Sequence, residues 1–324
     1  MQQVPAALLD FINNGENFLV AGHKEPDGDC VGSQLALLSV LQRMGKKAAA
    51  CSAGPFKRSE IKNYQHLFSS APASDAAARV IIVDCSSIDR TGCLEPFIEK
   101  LPMAFIDHHE MGRLPDKENN GICYFDSKAP STTFLILKLI LALGMEPSQE
   151  EAKLLFFGLC TDTGFFRHLD RESGETFTAA SVLVHYGANP KAAFASIYGG
   201  KTLDSRKFLG NILLRSESLF GGQLIISSEE NEEIRNFGIE SRDSDSLYQL
   251  LLTIEGAEAI VIFRQETPEK CSVGLRSRDW VDVGSIALSF GGGGHKNASG
   301  FTVQGTIPEL KSALIKVFNG IFNP

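Results

Sequence analysis

The sequence predicts an α/β protein in two parts, a parallel-sheet domain joined by a helical linker to a smaller α/β domain. Short β-branched runs alternate with helix-period segments through the first half, which is the pattern of buried parallel strands with helical crossovers. A second set of strand-like runs begins only after Asn189-Pro190. The length of 324 residues agrees, because single cores seldom grow that large.

Taken in order, NFLVAGH at 17–23, RVIIVDC at 79–85 and MAFIDHH at 103–109 are short and apolar, and are expected as buried strands. VGSQLALLSVLQRMG at 31–45 carries apolar residues at helical spacing and closes on a glycine, and STTFLILKLILALG and EEAKLLFFGLC continue the helical pattern. The first domain is expected over 1–190. The polar, helix-compatible stretch KTLDSRKFLGNILLRSESLF places a linker at 191–215. The second domain, 216–324, follows with QLIISS, EAIVIFRQ and KCSVGLRS as strands, and helical patterns lie between and after them. No internal repeat is present, and the only low-complexity tract is the glycine run at 291–294.

Composition narrows the function. With 43% hydrophobic and 22% charged residues the chain is globular, not disordered. Its apolar stretch from Phe134 to Gly144 falls short of the ~20 residues that span a bilayer and is interrupted by Lys138. The N-terminal MQQVPAALLDFINNGEN has neither a basic start nor a cleavage pattern. A cytoplasmic protein with no membrane partner is expected. Cys30, Cys51, Cys85, Cys93, Cys123, Cys160 and Cys271 are odd in number and form no CxxC pair, so they are expected as reduced thiols, mostly buried. The net charge of −8, with 13 Lys and Arg against 16 Asp and Glu from Lys201 onward, argues against coating long nucleic acid. Any polyanion handled is expected to be short.

Ionisable residues gather where the predicted strands end. GHKEPDGDCVGS sets His23, Asp27 and Asp29 between a strand and a helix, where parallel sheets collect ligands. An imidazole with two carboxylates suits manganese, iron, cobalt or zinc. For a single Asp-Gly-Asp the commoner arrangement is a turn, with Pro26 and Gly28 setting the bend and Asp29 capping the helix. Asp84 ends a second strand and Asp107-His108-His109 a third. Like charges delivered to one edge are costly unless cations neutralise them, so a shared metal site is the simpler explanation. Asp162 in GLCTDTGFFRH follows an apolar helix and is expected in a loop facing that edge, although such a residue is more often a cap or turn. Cys85 and Cys160 adjoin these positions but have no basic partner, and are assigned packing roles. In the second domain, the four glycines leave backbone amides open to a phosphate or sugar, and Arg276 offers a guanidinium fork.

HKEPDGDCVGS, VDCSS, IDHH and TDTGFF, in this order, resemble the four motifs of the DHH phosphoesterase superfamily. GLRSRDWVDVGSIALSFGGGGHKNASGF resembles its associated C-terminal domain, so the resemblance runs from about residue 17 to residue 303. Size and domain pairing are similar to the NrnA-type oligoribonucleases, which also act as phosphatases on 3′-phosphoadenosine 5′-phosphate (pAp). The resemblance implies two divalent cations, usually manganese, with magnesium or cobalt as alternatives. The first would be held by His23, Asp27 and Asp84, and the second by Asp29, Asp84, His108 and Asp162. Asp84 would bridge both, His109 would contact the scissile phosphate, and Asp107 would orient its neighbours. Water activated between the cations would attack phosphorus in line, without a covalent intermediate. Arg276 and His295 would grip the far end of the substrate, with Gly292, Gly293 and Gly294 allowing close approach and Ser299, Arg278 and Lys296 as weaker candidates.

Two departures from the family pattern bear on substrate preference. EMGRLPDKENNG lacks the usual asparagine, for which Asn119 or Asn120 are the candidates, and Phe134 stands where relatives often carry an acid.

The expected activity is metal-dependent degradation of short oligoribonucleotides to mononucleotides, with dephosphorylation of pAp as a second activity. A cleft between the domains would set the length limit, and the chain would act as a monomer or homodimer. The alternatives are an exopolyphosphatase or pyrophosphatase, a phosphodiesterase of linear dinucleotides such as pApA, a processive DNA exonuclease, and a catalytically silent nucleotide-binding regulator. A regulator would be expected to have lost at least one of the six metal-ligand residues, and all are present.

Overall fold

The computed structural model describes residues 2–72, 79–109 and 121–323, the side chain of Glu240 excepted. Most of EMGRLPDKENNG, with Asn119 and Asn120, lies outside the described residues. The chain divides into two compact units, Met1–Gly199 and Gly200–Pro324.

The first unit contains α1 (Ala6–Asn13), β1 (Asn17–Ala21), α2 (Gly28–Arg43), β2 (Lys47–Cys51), β3 (Arg79–Val83), α3 (Glu95–Ile98), β4 (Met103–Asp107), β5 (Ile122–Phe125), α4 (Thr132–Ala142), α5 (Gln149–Asp162), α6 (Gly174–His185) and α7 (Pro190–Tyr198). Its five strands are all parallel, in the order β2-β1-β3-β4-β5. The chain runs outward from β1 to β2 and then returns to the other side of β1 at β3, so the strand order reverses between β1 and β3. In open parallel sheets that reversal opens a crevice beyond the carboxyl ends of the strands. β2 and β5, KAAAC and ICYF, are strands that sequence patterning passed over, because neither is a continuous run of β-branched residues.

Both sheet faces are covered. Val20, Ile81, Val83, Ala104 and Ile106 pack with helices α2, α4 and α5, while Leu19, Ile82, Phe105 and Met103 pack on the opposite face. Phe134 is 4% exposed inside the larger core.

The second unit contains α8 (Leu203–Leu214), β6 (Glu217–Leu219), β7 (Leu224–Glu229), α9 (Asn231–Phe237), α10 (Ser244–Leu251), β8 (Ala259–Thr267), β9 (Lys270–Ser277), α11 (Val283–Ser289), β10 (Gly293–His295), β11 (Ala298–Gln304) and α12 (Ile307–Phe322). Its sheet order is β10-β11-β9-β8-β7-β6, antiparallel except for the β7–β8 pair. Alternation along the strands sends Val261, Phe263, Val273 and Leu275 to a core with Ile286 of α11 and Leu314 of α12. It sends Ile225, Ile260 and Ile262 to another with Phe208 of α8 and Leu251 of α10.

The stretch 191–215, expected as a linker, is two helices with different attachments. Ala193 and Ile197 of α7 pack on the first core, whereas Phe208 and Ile212 of α8 are buried in the second. The glycine run is a loop only in its first half, Gly291 and Gly292. Gly293, Gly294 and His295 form the edge strand β10, paired with Gly300, Ser299 and Ala298.

Candidate metal centre

Three of the four sequence motifs end at the carboxyl edge of the first sheet. β1 delivers His23 and β3 delivers Asp84, one on each side of the strand reversal, and β4 ends at Asp107 with His108 and His109 just beyond. Asp84 adopts φ 59°, a left-handed conformation rare for a residue with a side chain, and its amide donates to the Ile106 carbonyl at 2.9 Å.

The remaining acids arrive on helices. Asp27, not Asp29, is the N-cap of α2: its Oδ1 accepts from the amides of Asp29 and Cys30, each at 3.1 Å. Asp29 is thereby free of capping and points at the start of α4. There it accepts from the Thr132 amide at 2.6 Å, the Thr133 amide at 2.9 Å and the Thr133 hydroxyl at 2.6 Å. The Thr132 hydroxyl donates to Asp84 Oδ1 at 3.0 Å. Asp162 is the last residue of α5, not a loop residue.

The helices come this close because their contact points are glycines. A Cβ on Gly32 would stand 2.6 Å from the Leu154 carbonyl oxygen, and one on Gly158 would collide with Thr133 and come 3.0 Å from Asp29 Oδ1.

Asp29, Asp84 and Asp162 converge on one imidazole. His108 Nε2 lies 3.2 Å from Asp162 Oδ2, 3.8 Å from Asp84 Oδ1 and 3.9 Å from Asp29 Oδ2. His23 Nε2 lies 3.5 Å from Asp84 Oδ2. Each of these rings turns Nδ1 to a backbone carbonyl, His23 to Lys24 at 2.8 Å and His108 to Ala129 at 3.2 Å. A carbonyl only accepts, so Nδ1 bears a proton and Nε2 is the nitrogen turned to the acids, the orientation in which a neutral ring would present its lone pair to a metal.

His109 is built differently. Its Nδ1 donates to Asp107 Oδ1 at 2.7 Å, and its ring is half-exposed. Burial works to raise the Asp107 carboxyl, but the hydrogen bonds and charge of His109 prevail and hold it below the usual range. The bond to Asp107, acting against burial, raises His109 above an ordinary imidazole.

Charge balance inside the cluster is unfavourable as it stands. Asp29 and Asp84 are each 1% exposed. Burial, then repulsion from Asp29, Asp27, Asp162 and Asp107, drives the Asp84 carboxyl well above its ordinary value. Burial, then Asp29 and Asp27, pushes Asp162 up to about 8. Asp29 is raised by burial, against the pull of His108 and Thr133. Among the described residues, His108 Nε2 and Asp107 Oδ2 are buried without a hydrogen-bond partner. Crowded buried carboxylates, a facing imidazole nitrogen and unpartnered polar atoms form a donor set that divalent cations fit.

Groups able to hold an ion, with ligand atoms within 4.8 Å of one another, are His23/Cys30/Asp84, Asp84/His108/His109 and Asp29/His108/Asp162. Asp27 is in none of them, its Oδ1 being engaged with the helix amides. Cys30 is a geometric neighbour only: burial and then Asp84 raise its thiol far above the ordinary value, and its sulfur turns to Gln34 Oε1. Thr132 and Thr133 escaped the sequence reading. Their signal was the Ser-Thr-Thr that opens an apolar helix, where exposed amides attract a carboxylate.

In the second unit Arg276 borders a cavity, and His295 is exposed on β10. Two of the glycines are explained by packing. A Cβ on Gly292 would strike the Gly300 carbonyl and Phe301, and Gly294, at φ 142°, has the Ala298 carbonyl 2.5 Å from its Cβ position. Only Gly293 of the three faces open space. Ser299 is 7% exposed and donates to the Val283 carbonyl at 2.6 Å, so its hydroxyl is committed internally. Arg278 donates to the carbonyls of Leu252 at 2.6 Å and Ile254 at 3.1 Å.

The sequence matches the DHH family, N-terminal domain, over residues 17–159 and the DHHA1 domain over residues 221–323. It is 30% identical over 303 residues to the bifunctional oligoribonuclease and PAP phosphatase NrnA of Thermus thermophilus, an alignment covering 93% of this chain and 88% of that protein. The crystal structure of an exopolyphosphatase-related protein from Bacteroides fragilis matches at TM-score 0.84 and 22% identity, over 100% of both chains. RecJ of Thermus thermophilus in complex with Mn2+ matches at TM-score 0.51 and 17% identity, over 98% of this chain and 53% of RecJ. These two structures establish the shared fold. With the ordered motifs, both domain matches and the NrnA alignment in agreement, the chain belongs to the DHH family and carries a DHHA1 domain after its DHH domain.

Proposed function

We propose that this chain is a metal-dependent phosphohydrolase that degrades short oligoribonucleotides to mononucleotides and removes the 3′-phosphate of pAp. The observation that carries the proposal is the convergence of Asp29, Asp84 and Asp162 on Nε2 of His108. The named activities of the NrnA relative support the substrate class. In this assignment His23, Asp27 and Asp84 hold one divalent cation, and Asp29, Asp84, His108 and Asp162 hold a second. Manganese is the expected ion, in keeping with the RecJ complex. Such a pair supplies Lewis-acid charge for the phosphoryl oxygens and lowers the pKa of water near the site.

The residues of the chain do the rest. Asp84, between the two ligand sets, offers one oxygen toward His23 and the other toward His108. Thr132 and Thr133 hold the carboxylates of Asp84 and Asp29 in place before any ion arrives. His109, whose affinity for a proton is raised by Asp107, places a ring N–H donor at the open side of the site, suited to a non-bridging oxygen of the scissile phosphate. The first unit is the catalytic one in this proposal, and the second, with Arg276 and His295, binds the substrate.

The test is a side-by-side assay of a diribonucleotide, longer RNA, pAp, linear pApA, pyrophosphate and polyphosphate, with manganese and with chelator. Manganese-dependent turnover highest on the diribonucleotide or pAp is expected. Preference for polyphosphate or pyrophosphate would end the proposal, and tight nucleotide binding with no turnover would favour a silent regulator.

A further inference from the structure

The second unit holds its own group of charges, partly buried and of the opposite sign. A cavity of about 410 Å³ is lined by Tyr248, Arg264, Ser272, Gly274, Arg276 and Thr302, among others. Strand alternation makes it: Ser272, Gly274 and Arg276 of β9 face away from the core that receives Cys271, Val273 and Leu275. Gly274 leaves the space open, because a Cβ there would run into the Tyr248 hydroxyl and stand 3.0 Å from Arg264 Nη1.

Three guanidiniums meet few carboxylates here. Glu229, 1% exposed, is shared between Arg264, whose Nε donates to Oε1 at 2.7 Å, and Arg242, 2.6 Å from Oε2. Glu266 lies 3.9 Å from Arg242. Arg276 forms no ion pair among the described residues; its guanidinium lies 4.5 Å from the Tyr248 ring centroid, and Nη1 donates to the carbonyl of Leu275. Arg264 Nη2 donates to Ser244 Oγ at 3.1 Å, leaving Nη1 on the cavity side. Tyr248 is 4% exposed, and its hydroxyl faces the Arg264 guanidinium, so among the described residues the phenol proton has no acceptor. A buried phenol proton without an acceptor and an excess of guanidinium charge are both costly, and one anion would satisfy both.

We infer that this cavity is a phosphate site, in which Arg264 and the Tyr248 hydroxyl join Arg276 in binding a phosphate group of the nucleotide. The inference rests on the phosphohydrolase proposal for its nucleotide and adds two residues, Arg264 and Tyr248, that lie outside the sequence motifs. The site distinguishes a phosphorylated nucleotide from its nucleoside, because only the former brings an anion to the guanidiniums.

The test is calorimetric titration of the full chain in chelator, with adenosine 5′-monophosphate and with adenosine as probes. Adenosine 5′-monophosphate is expected to bind at least about tenfold more tightly than adenosine. Tyr248→Phe should lose about tenfold of that affinity while its melting temperature stays nearly level, because the hydroxyl donates to no group of the protein. Arg264→Lys, which keeps the charge but not the fork, should also weaken the phosphate probe and leave adenosine unchanged. Equal binding of the two probes, or unchanged affinity in both variants, would overturn the inference. The titration contains no cation, so it reads out separately from hydrolysis: failure of turnover strikes the metal proposal and leaves the phosphate site standing.

Discussion

The two units bury charge in opposite ways. At the end of the parallel sheet, Asp29, Asp84 and Asp162 crowd around His108, with His23 beside Asp84, and the three carboxyls are raised above their ordinary values. In the second unit Arg242 and Arg264 share Glu229, and Arg276 beside them forms no ion pair among the described residues. A folded chain tolerates an uncompensated buried charge only where something outside the polypeptide completes it. The first cluster therefore asks for cations and the second for an anion, the two ingredients of phosphate ester chemistry.

The largest effect that could break this contrast is at Asp84. Asp84→Asn should lower kcat by about a thousandfold with manganese present, yet leave the chelated protein as stable as the parent or more so, since a repelled buried charge is gone. Near-parental turnover would remove the bridging role.

The pH dependence of stability is the next handle. A carboxyl raised in the folded state, such as Asp162 at about 8, holds a proton that the unfolded chain releases near its ordinary value. Its contribution is complete at low pH and is lost as pH rises through the folded-state value. The chelated protein should therefore melt at progressively lower temperature as pH climbs from about 4 toward about 8. Manganese should flatten that slope. A melting temperature indifferent to pH in chelator would contradict the charge crowding.

Gly158→Ala sharpens the same side. The added methyl meets Thr133 and the carboxylate of Asp29, so a loss of about 1–3 kcal/mol of stability is expected, together with a weaker manganese midpoint. Smaller still is Asp107→Asn, which removes the partner that raises His109. His109 should then lose its proton at lower pH, moving the alkaline limb of the rate profile toward acid. An unmoved limb would detach His109 from the rate.

Ser299→Ala gives the smallest effect and probes the other unit. It should cost about 1 kcal/mol, from the lost hydrogen bond to Val283, and leave nucleotide affinity unchanged.

Much of this was legible before folding. His23, Asp84 and the Asp107-His108-His109 triplet all follow apolar runs, and a strand end in a parallel sheet is a fixed address, so local sequence places them. Asp27 and Asp29 could not be told apart that way. Both sit at the start of one helix, and only the direction of the chain entering it makes Asp27 the cap and frees Asp29 to meet Thr132 and Thr133, more than a hundred residues later. The glycine run misled for a related reason: an edge strand of glycines has no side-chain alternation to reveal it, and pairing with Ala298–Gly300 is what defines β10. The arginine cavity left no motif either, because its lining comes from α10, β8, β9 and β11.

By itself the sequence determined the α/β class, the order of the ionisable clusters and the edge at which they gather, since hydrophobic periodicity and strand ends are local properties. Tertiary structure alone decided which carboxylates face one another, which hydroxyls are already spoken for and where charge is left uncompensated. Those outcomes depend on contacts between residues far apart in the chain, and on a burial that no short window of sequence contains.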